Sequence, residues 1–93
     1  MSNIYLSMAW SVEISDKALK HLEKFERKIQ AKLLAIIEMF KISPFPRNCD
    51  IKKLEGMENI FRLRKGKIRI LYYVDKMNNK IKVLDIDVRG RIY

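Results

Sequence analysis

The sequence has few of the residues that enzymes most often use for nucleophilic, acid–base or metal chemistry. Its 93 residues include one cysteine, Cys49, and one histidine, His21. The two lie far apart in the sequence and His21 falls in a helical stretch, so they form neither a recognisable catalytic pair nor a zinc-ligand set. We therefore expect no metal and no cofactor. A lone cysteine also cannot form an internal disulfide, which is typical of a cytoplasmic protein.

Long hydrophobic runs are absent too. No apolar segment approaches the ~20 residues that a membrane-spanning helix needs. The N-terminal stretch MSNIYLSMAW lacks the basic region followed by an apolar region that marks a signal peptide. We expect no membrane partner and a single domain over residues 1–93, in which residues 1–7 form a loose tail if Met8 is the native start.

Acidic residues are in the minority. The chain has 20 lysine and arginine residues against 11 aspartate and glutamate residues, which gives a formal net charge of +9. A charge of this sign suits a polyanionic partner such as nucleic acid, an anionic membrane surface or an acidic protein. The alternative is a charged surface that only keeps the protein soluble. Net charge alone does not distinguish a polyanionic partner from a merely solubilising surface, so the positions of the basic residues are needed to do so.

The N-terminal half is predicted to contain one strand followed by helix. Residues 10–14, WSVEI, alternate and are rich in β-formers, which predicts a strand. From Ala18 to Phe40, apolar residues recur at a mean spacing close to the ~3.6 residues of a helical turn. One continuous helix would measure about 39 Å at ~1.5 Å per residue, whereas a domain of this size has a radius of gyration of only ~13 Å. We therefore expect a break near residues 25–27 and a helical hairpin.

Prolines and glycines divide the C-terminal half into strands. The segment SPFPRNCD, residues 43–50, is predicted to be a loop because Pro44 and Pro46 end the helix. Strands are then predicted at residues 51–55, 60–65, 68–74 and 80–88. One strand, two helices and a run of strands predict an α+β fold, in which the helices cover one face of a mainly antiparallel small sheet.

The segment FRLRKGKIRILYY, residues 61–73, predicts a tight β-hairpin with Gly66-Lys67 as its turn. In that register Arg64 pairs with Arg69, and paired residues point to the same face of the sheet. The core face is then Phe61, Leu63, Ile68, Ile70, Tyr72 and Val74. The opposite face carries Arg62, Arg64, Arg69, Leu71 and Tyr73. Two arginines directly opposite each other repel, so the stability of the fold does not account for them.

The last strand, residues 80–88, is predicted to add residues to both the core face and the arginine-bearing face of the sheet. Its natural core set is Leu84, Ile86 and Val88. The arginine side then receives Asp85, Asp87 and Arg89. With a five-residue loop before this strand, Asp85 falls opposite Arg69. The same register sets Asp87 opposite Lys67.

The arginine-rich face suggests a phosphate site. Arginine presents a planar fork of donors that matches pairs of phosphate oxygens, whereas exposed ion pairs contribute only ~0–1 kcal/mol to stability. Tyr73 and Tyr93 would supply a stacking surface for bases or a hydroxyl group. Further RNA contacts are expected from Lys53, Lys65, Lys67 and Arg91. The alternative is a solvated face whose charges pair with each other.

Three segments in order resemble the RelE/ParE toxin superfamily, and most of all its archaeal RelE branch. They are KLEG at residues 53–56, FRLRKGKIRILYYV at 61–74 and VRGRIY at 88–93. The resemblance implies a helical hairpin packed on a small antiparallel-dominated sheet. It also implies a metal-independent endoribonuclease that cuts messenger RNA in the ribosomal A site and so inhibits translation. The implied partners are the ribosome, a RelB-type antitoxin and, through the antitoxin complex, operator DNA.

The resemblance also assigns catalytic residues. Arg62, Arg64 and Arg69 match basic active-site positions of RelE-type toxins, and Arg89, followed four residues later by Tyr93, matches their C-terminal tail. The first two positions are often lysine in bacterial RelE, where one lysine has been proposed as a proton acceptor. Arginine cannot take that role because its pKa exceeds ~12. Two alternatives therefore stay open: a ParE-like, non-catalytic toxin that binds DNA gyrase, and a basic nucleic-acid-binding module without catalysis.

Overall fold

The computed structural model describes residues 10–89. Its elements are β1 (Ser11–Ile14), α1 (Asp16–Glu23), α2 (Arg27–Met39), β2 (Asp50–Lys53), β3 (Ile60–Lys65), β4 (Ile68–Asp75) and β5 (Lys80–Val88). The predicted α+β class and order of elements are confirmed. The predicted tail at residues 1–7, and the candidate site residues Arg91 and Tyr93, lie outside the described residues.

The strands form one sheet in the order β1-β5-β4-β3-β2. From β2 to β5, strands that follow one another in the sequence pair antiparallel, as expected for strands joined by short turns. β1 pairs with β5 in parallel, from Ser11 opposite Lys80 to Ile14 opposite Val83. The two helices lie between β1 and the rest of the sheet in the sequence, which gives the chain the long crossover that a parallel pair requires.

The predicted break between the helices is confirmed at residues 24–26. Ser15 caps the N-terminus of α1: its hydroxyl accepts from the Ala18 N–H at 3.1 Å and donates to the Leu84 carbonyl at 2.9 Å. Phe25 is buried in the connection, 5 % exposed. The Gln30 amide donates to the Phe25 carbonyl at 2.7 Å, so a side chain of α2 bonds to a backbone acceptor at the break.

The core lies between the helices and one face of the sheet. Its largest fully buried side chains include Tyr72, Phe40, Leu33, Leu63 and Ile70. The Tyr72 ring packs 4.5 Å from Phe40 and 5.8 Å from Phe61, measured between centroids. Its hydroxyl donates to the Pro44 carbonyl at 2.7 Å, and burial raises the pKa of this phenol. One tyrosine therefore joins the sheet to the loop after α2.

The predicted register of β5 is wrong. Arg69 pairs with Asp87, not Asp85, and Asp85 pairs with Leu71. The turn before β5 is one residue shorter than predicted, since Asp75 pairs with Lys80, and a β-bulge at Leu84 adds a further shift.

The bulge also changes which residues of β5 enter the core. Ile81 and Val83 are fully buried before it, and Ile86 and Val88 are buried after it. Leu84 is half-buried and lies outside the core cluster, so its predicted core position is wrong. An extra residue reverses the alternation of faces, which lets β5 keep apolar residues inward on both sides of the bulge.

Candidate functional site

The hairpin of β3 and β4 has the predicted register. Arg62 pairs with Leu71, and Arg64 pairs with Arg69. Leu63 and Ile70, which alternate with these arginines, are fully buried. The turn at Gly66 has a φ of 60°, a conformation that favours glycine. The arginine side chains therefore lie on the face of the sheet away from the core.

A row of four charges crosses this face. Asp50 of β2 pairs with Arg64, Arg64 with Arg69, and Arg69 with Asp87 of β5. The facing arginines are thus flanked by one carboxylate on each outer strand. Opposite charges on neighbouring strands offset the repulsion between like charges in the middle of the row.

The two carboxylates of the row make different contacts. Asp50 Oδ2 accepts from Arg62 Nη2 at 3.1 Å and from Arg64 Nη2 at 2.9 Å. Asp87 Oδ1 instead accepts from the Val88 backbone N–H at 2.8 Å. Within residues 10–89, no carboxylate lies within ion-pair distance of Arg69. One half of the row is therefore joined by ion pairs, whereas Arg69 in the other half makes no ion pair with the described residues.

We call Arg62, Arg64, Arg69 and Arg89 the arginine patch. Arg89 follows β5, and its N–H donates to the Lys67 carbonyl at 2.7 Å, which fixes it beside the hairpin turn. In the described part of the chain, the Nε atoms of Arg62 and Arg69 are buried and have no hydrogen-bond partner. A buried donor without an acceptor costs ~1–3 kcal/mol. The patch therefore contains hydrogen-bond donors that residues 10–89 leave without an acceptor.

The remaining sequence-predicted residues are spread around the patch. Tyr73 follows Arg69 and Leu71 on the same face and is 37 % exposed. Lys65 and Lys67 are exposed at the hairpin turn. Lys53 pairs with Phe61 and so belongs to the opposite face.

Sequence reasoning missed two residues of this face. Asp50 was assigned to the preceding loop, and Lys52, which pairs with Arg62, was not singled out. The available signal was the alternation Asp50-Ile51-Lys52, since β2 begins one residue earlier than predicted.

Asp85 pairs with Leu71, and within residues 10–89 its carboxylate makes no ion pair with the arginines. Its carboxylate contacts α1 instead: Oδ1 lies 2.8 Å from His21 Nδ1, and Oδ2 lies 3.4 Å from Lys17 Nζ. His21 Nδ1 also lies 3.3 Å from the Ile86 carbonyl. These contacts hold α1 against the part of β5 that β1 does not cover.

The donor set of the face defines its chemistry. Guanidinium groups bind phosphate oxygens and stabilise added negative charge, and they do not exchange protons near neutral pH. Among residues 10–89, no group of histidine, cysteine, aspartate and glutamate is arranged to hold a metal ion. Cys49 packs against the core as a free thiol, and His21 is engaged with Asp85. No helix in the described range is long and apolar enough to cross a membrane.

Known proteins are similar to this chain in sequence and in fold. No protein-family model matches the chain. A Methanocaldococcus jannaschii protein named "Putative toxin RelE1" is 37 % identical over 68 residues, covering 72 % of this chain and 76 % of that protein.

Two solved structures extend the likeness over most of the chain. The archaeal RelE–RelB complex from Pyrococcus horikoshii contains a chain that is 30 % identical, with a TM-score of 0.77, covering 91 % of this chain and 100 % of that one. The RelB–RelE complex from Methanococcus jannaschii matches at 27 % identity and a TM-score of 0.68, covering 87 % and 94 %. Identity at this level over two thirds or more of a relative establishes kinship, and the chain belongs to the RelE toxin family.

Proposed function

We propose that this chain is the toxin of a toxin–antitoxin pair and that it inhibits translation by cutting messenger RNA bound in the ribosomal A site. The observation that carries the proposal is the arginine patch. Three of its arginines lie on one sheet face away from the core, and Arg69 has no carboxylate partner in the described range. Membership of the RelE family supplies the substrate class, which the patch supports because RNA is a chain of phosphates.

The proposed chemistry is internal attack within the RNA. The 2′-oxygen forms a bond to the adjacent phosphorus while the bond from phosphorus to the 5′-oxygen breaks. The 2′-hydroxyl loses a proton, and the leaving oxygen gains one. Arg62, Arg64 and Arg69 stabilise the negative charge that develops on the phosphate oxygens. Arg89 assists the leaving group, and Tyr93 orients the attacked nucleotide by stacking or helps to remove the proton.

No side chain of the patch has an ordinary pKa near 7. Intrinsic catalysis should therefore be weak, and the rate should depend on how the RNA is held. Correct placement of the reacting atoms alone is worth several kcal/mol. In this proposal the ribosome supplies that placement, which accounts for a toxin that needs no strong base of its own.

The proposed protein partner is a RelB-type antitoxin. The solved RelE chains from Pyrococcus horikoshii and Methanococcus jannaschii are in complexes with RelB. An acidic segment of such a partner would neutralise the exposed arginines and block access to RNA. The resulting pair would be the species that contacts operator DNA, and the site of action is cytoplasmic.

The test is regulated expression without antitoxin, followed by mapping of messenger RNA ends on translating ribosomes. Amino-acid incorporation should stop before DNA synthesis, and new 5′ ends should map to codons in the A site. Loss of DNA supercoiling while protein synthesis continues would instead identify a gyrase-directed toxin. Ribosome binding without new RNA ends would leave a basic binding module.

A further inference from the structure

Asp50 is the one carboxylate in residues 10–89 that bonds to the arginine patch. A single oxygen of this residue accepts from both Arg62 and Arg64, at 3.1 and 2.9 Å. Asp50 is the first residue of β2 and lies directly across from Arg64, with Arg62 on the diagonal. The convergence of two guanidinium groups on one atom gives both side chains a common orientation.

This contact is a poor stabiliser of the fold. The side chain of Asp50 is 53 % exposed and that of Arg64 is 40 % exposed. Exposed ion pairs add little because water screens the attraction and two long side chains lose rotamer freedom. What the contact does change is the set of conformations open to Arg62 and Arg64, which repel each other on the same face.

Asp50 does not use up the donors of the pair. Each guanidinium group has five N–H donors and gives a bond from one nitrogen, Nη2, to the carboxylate. The side chains of Arg62 and Arg64 stay 22 % and 40 % exposed, so some of their remaining donors are open to a ligand. A phosphate can therefore be bound by both arginines while Asp50 continues to hold them.

We infer that Asp50 is a positioning residue that orders Arg62 and Arg64 for one RNA phosphate. The inference rests on the proposed function. Asp50 touches neither the RNA nor the reacting atoms in this scheme and acts only through the two arginines. Its negative charge opposes phosphate binding, whereas its hydrogen bonds favour the reactive arrangement. Removing Asp50 should therefore slow the chemistry without weakening binding, whereas loss of a merely structural residue would weaken both.

The experiment compares Asp50→Ala, which removes the acceptor, with Asp50→Glu, which keeps a carboxylate within reach. Asp87→Asn is the matched control, because it removes the same charge from the same row while the amide oxygen can still accept from Val88. Three quantities are measured: the mobility of the arginine Nε–Hε groups by NMR, the affinity for an RNA oligonucleotide with a 2′-deoxy scissile position, and single-turnover cleavage on programmed ribosomes. Thermal melts report on folding.

In Asp50→Ala, Arg62 and Arg64 should become mobile while Arg69 is unchanged. Affinity for the uncleavable RNA should stay equal or rise, and cleavage should slow by about tenfold or more, since small misplacements of reacting groups cost up to ~10²-fold. Asp50→Glu should recover most of the rate. Asp87→Asn should leave the mobility of Arg62 and Arg64 unchanged.

Unchanged mobility of Arg62 and Arg64 in Asp50→Ala would overturn the inference, and so would normal cleavage by that variant. Parallel losses of affinity, rate and melting temperature would show a structural role and overturn it as well. A parent protein that cleaves no messenger RNA would refute the proposed function instead. The NMR and affinity measurements on uncleavable RNA would then still decide whether Asp50 orders the arginines for a phosphate.

Discussion

Leu63 and Arg64 are neighbours in β3, yet Leu63 is fully buried whereas the Arg64 side chain is 40 % exposed. Ile70 and Arg69 repeat the contrast on β4, where they pair with Leu63 and Arg64 respectively. The side-chain period of a strand is two, so one backbone serves a core on one face and a cationic surface on the other. Substitutions on the core face should therefore impair folding, whereas substitutions one residue away, on the arginine face, should impair activity.

The largest expected effect lies on the core face. Leu63→Ala and Ile70→Ala should each lower the free energy of unfolding by ~2–5 kcal/mol, because truncation leaves a cavity among packed side chains. In a domain of this size that loss approaches the whole stability. Thermal and urea melts would measure it. A loss below about 1 kcal/mol would mean that the two faces do not differ in packing as described.

A smaller effect is expected from one buried hydroxyl on the same face. Tyr72→Phe keeps the ring packed against Phe40 but leaves the Pro44 carbonyl without its 2.7 Å donor. An unsatisfied buried acceptor should cost ~1–3 kcal/mol. Tyr73→Phe, the same change one residue along on the exposed face, is the control and should not alter the melting temperature. Equal melts for the two variants would show that the loop after α2 does not depend on Tyr72.

The hairpin was predictable because its signals are local. Gly66 sets the turn, and the alternation of apolar and charged residues at positions 61–64 and again at 68–70 sets the register. The break between the helices was predictable from length against domain size, although no proline or glycine marks it. The hydrogen bond from Gln30 to the Phe25 carbonyl at the break could not be predicted from the sequence.

The errors arose where alternation fails or where contacts are distant in the sequence. In KIKVLDIDV, Val83 and Leu84 are adjacent apolar residues, so either can be taken as the core residue, and only the packed sheet shows that a bulge resolves the conflict. Asp50 reads as the end of a proline-containing loop. Its contact with Arg64 depends on the pairing of β2 with β3, across 14 residues of sequence.

On the arginine face, substitutions should abolish activity with little change in stability. Arg69→Ala should remove toxicity and leave the free energy of unfolding unchanged or raised by up to ~1 kcal/mol, because it relieves the repulsion from Arg64. Arg69→Lys sharpens the test, since it keeps the charge but loses the fork that binds two phosphate oxygens. A growth assay without antitoxin and a thermal melt report the two quantities separately.

Two results would contradict the assignment of folding to the core face and of activity to the arginine face. If Arg69→Ala melts far below the parent protein, the arginine face is structural. If it melts normally and remains fully toxic, the patch is exposed but takes no part in the reaction. Full toxicity of Arg69→Lys beside an inactive Arg69→Ala would show that charge alone, rather than the guanidinium geometry, is required.

The smallest expected effect lies in the turn that sets the register of β5 against β4. The carboxylate of Asp75 accepts from the side chain of Asn78 at 2.8 Å and from its backbone N–H at 3.2 Å, and these bonds lower the pKa of Asp75. A carboxyl group whose pKa is lower in the folded chain stabilises the fold above its unfolded pKa, and that contribution is lost as the pH falls through the folded pKa. Asp75→Asn should therefore weaken the turn slightly at neutral pH and flatten the acid dependence of the melting temperature. If Asp75→Asn and the parent lose melting temperature equally between pH values of about 5 and 2, the Asp75 bonds do not contribute to the turn, and the register that sets Asp87 opposite Arg69 is held by β-sheet pairing alone.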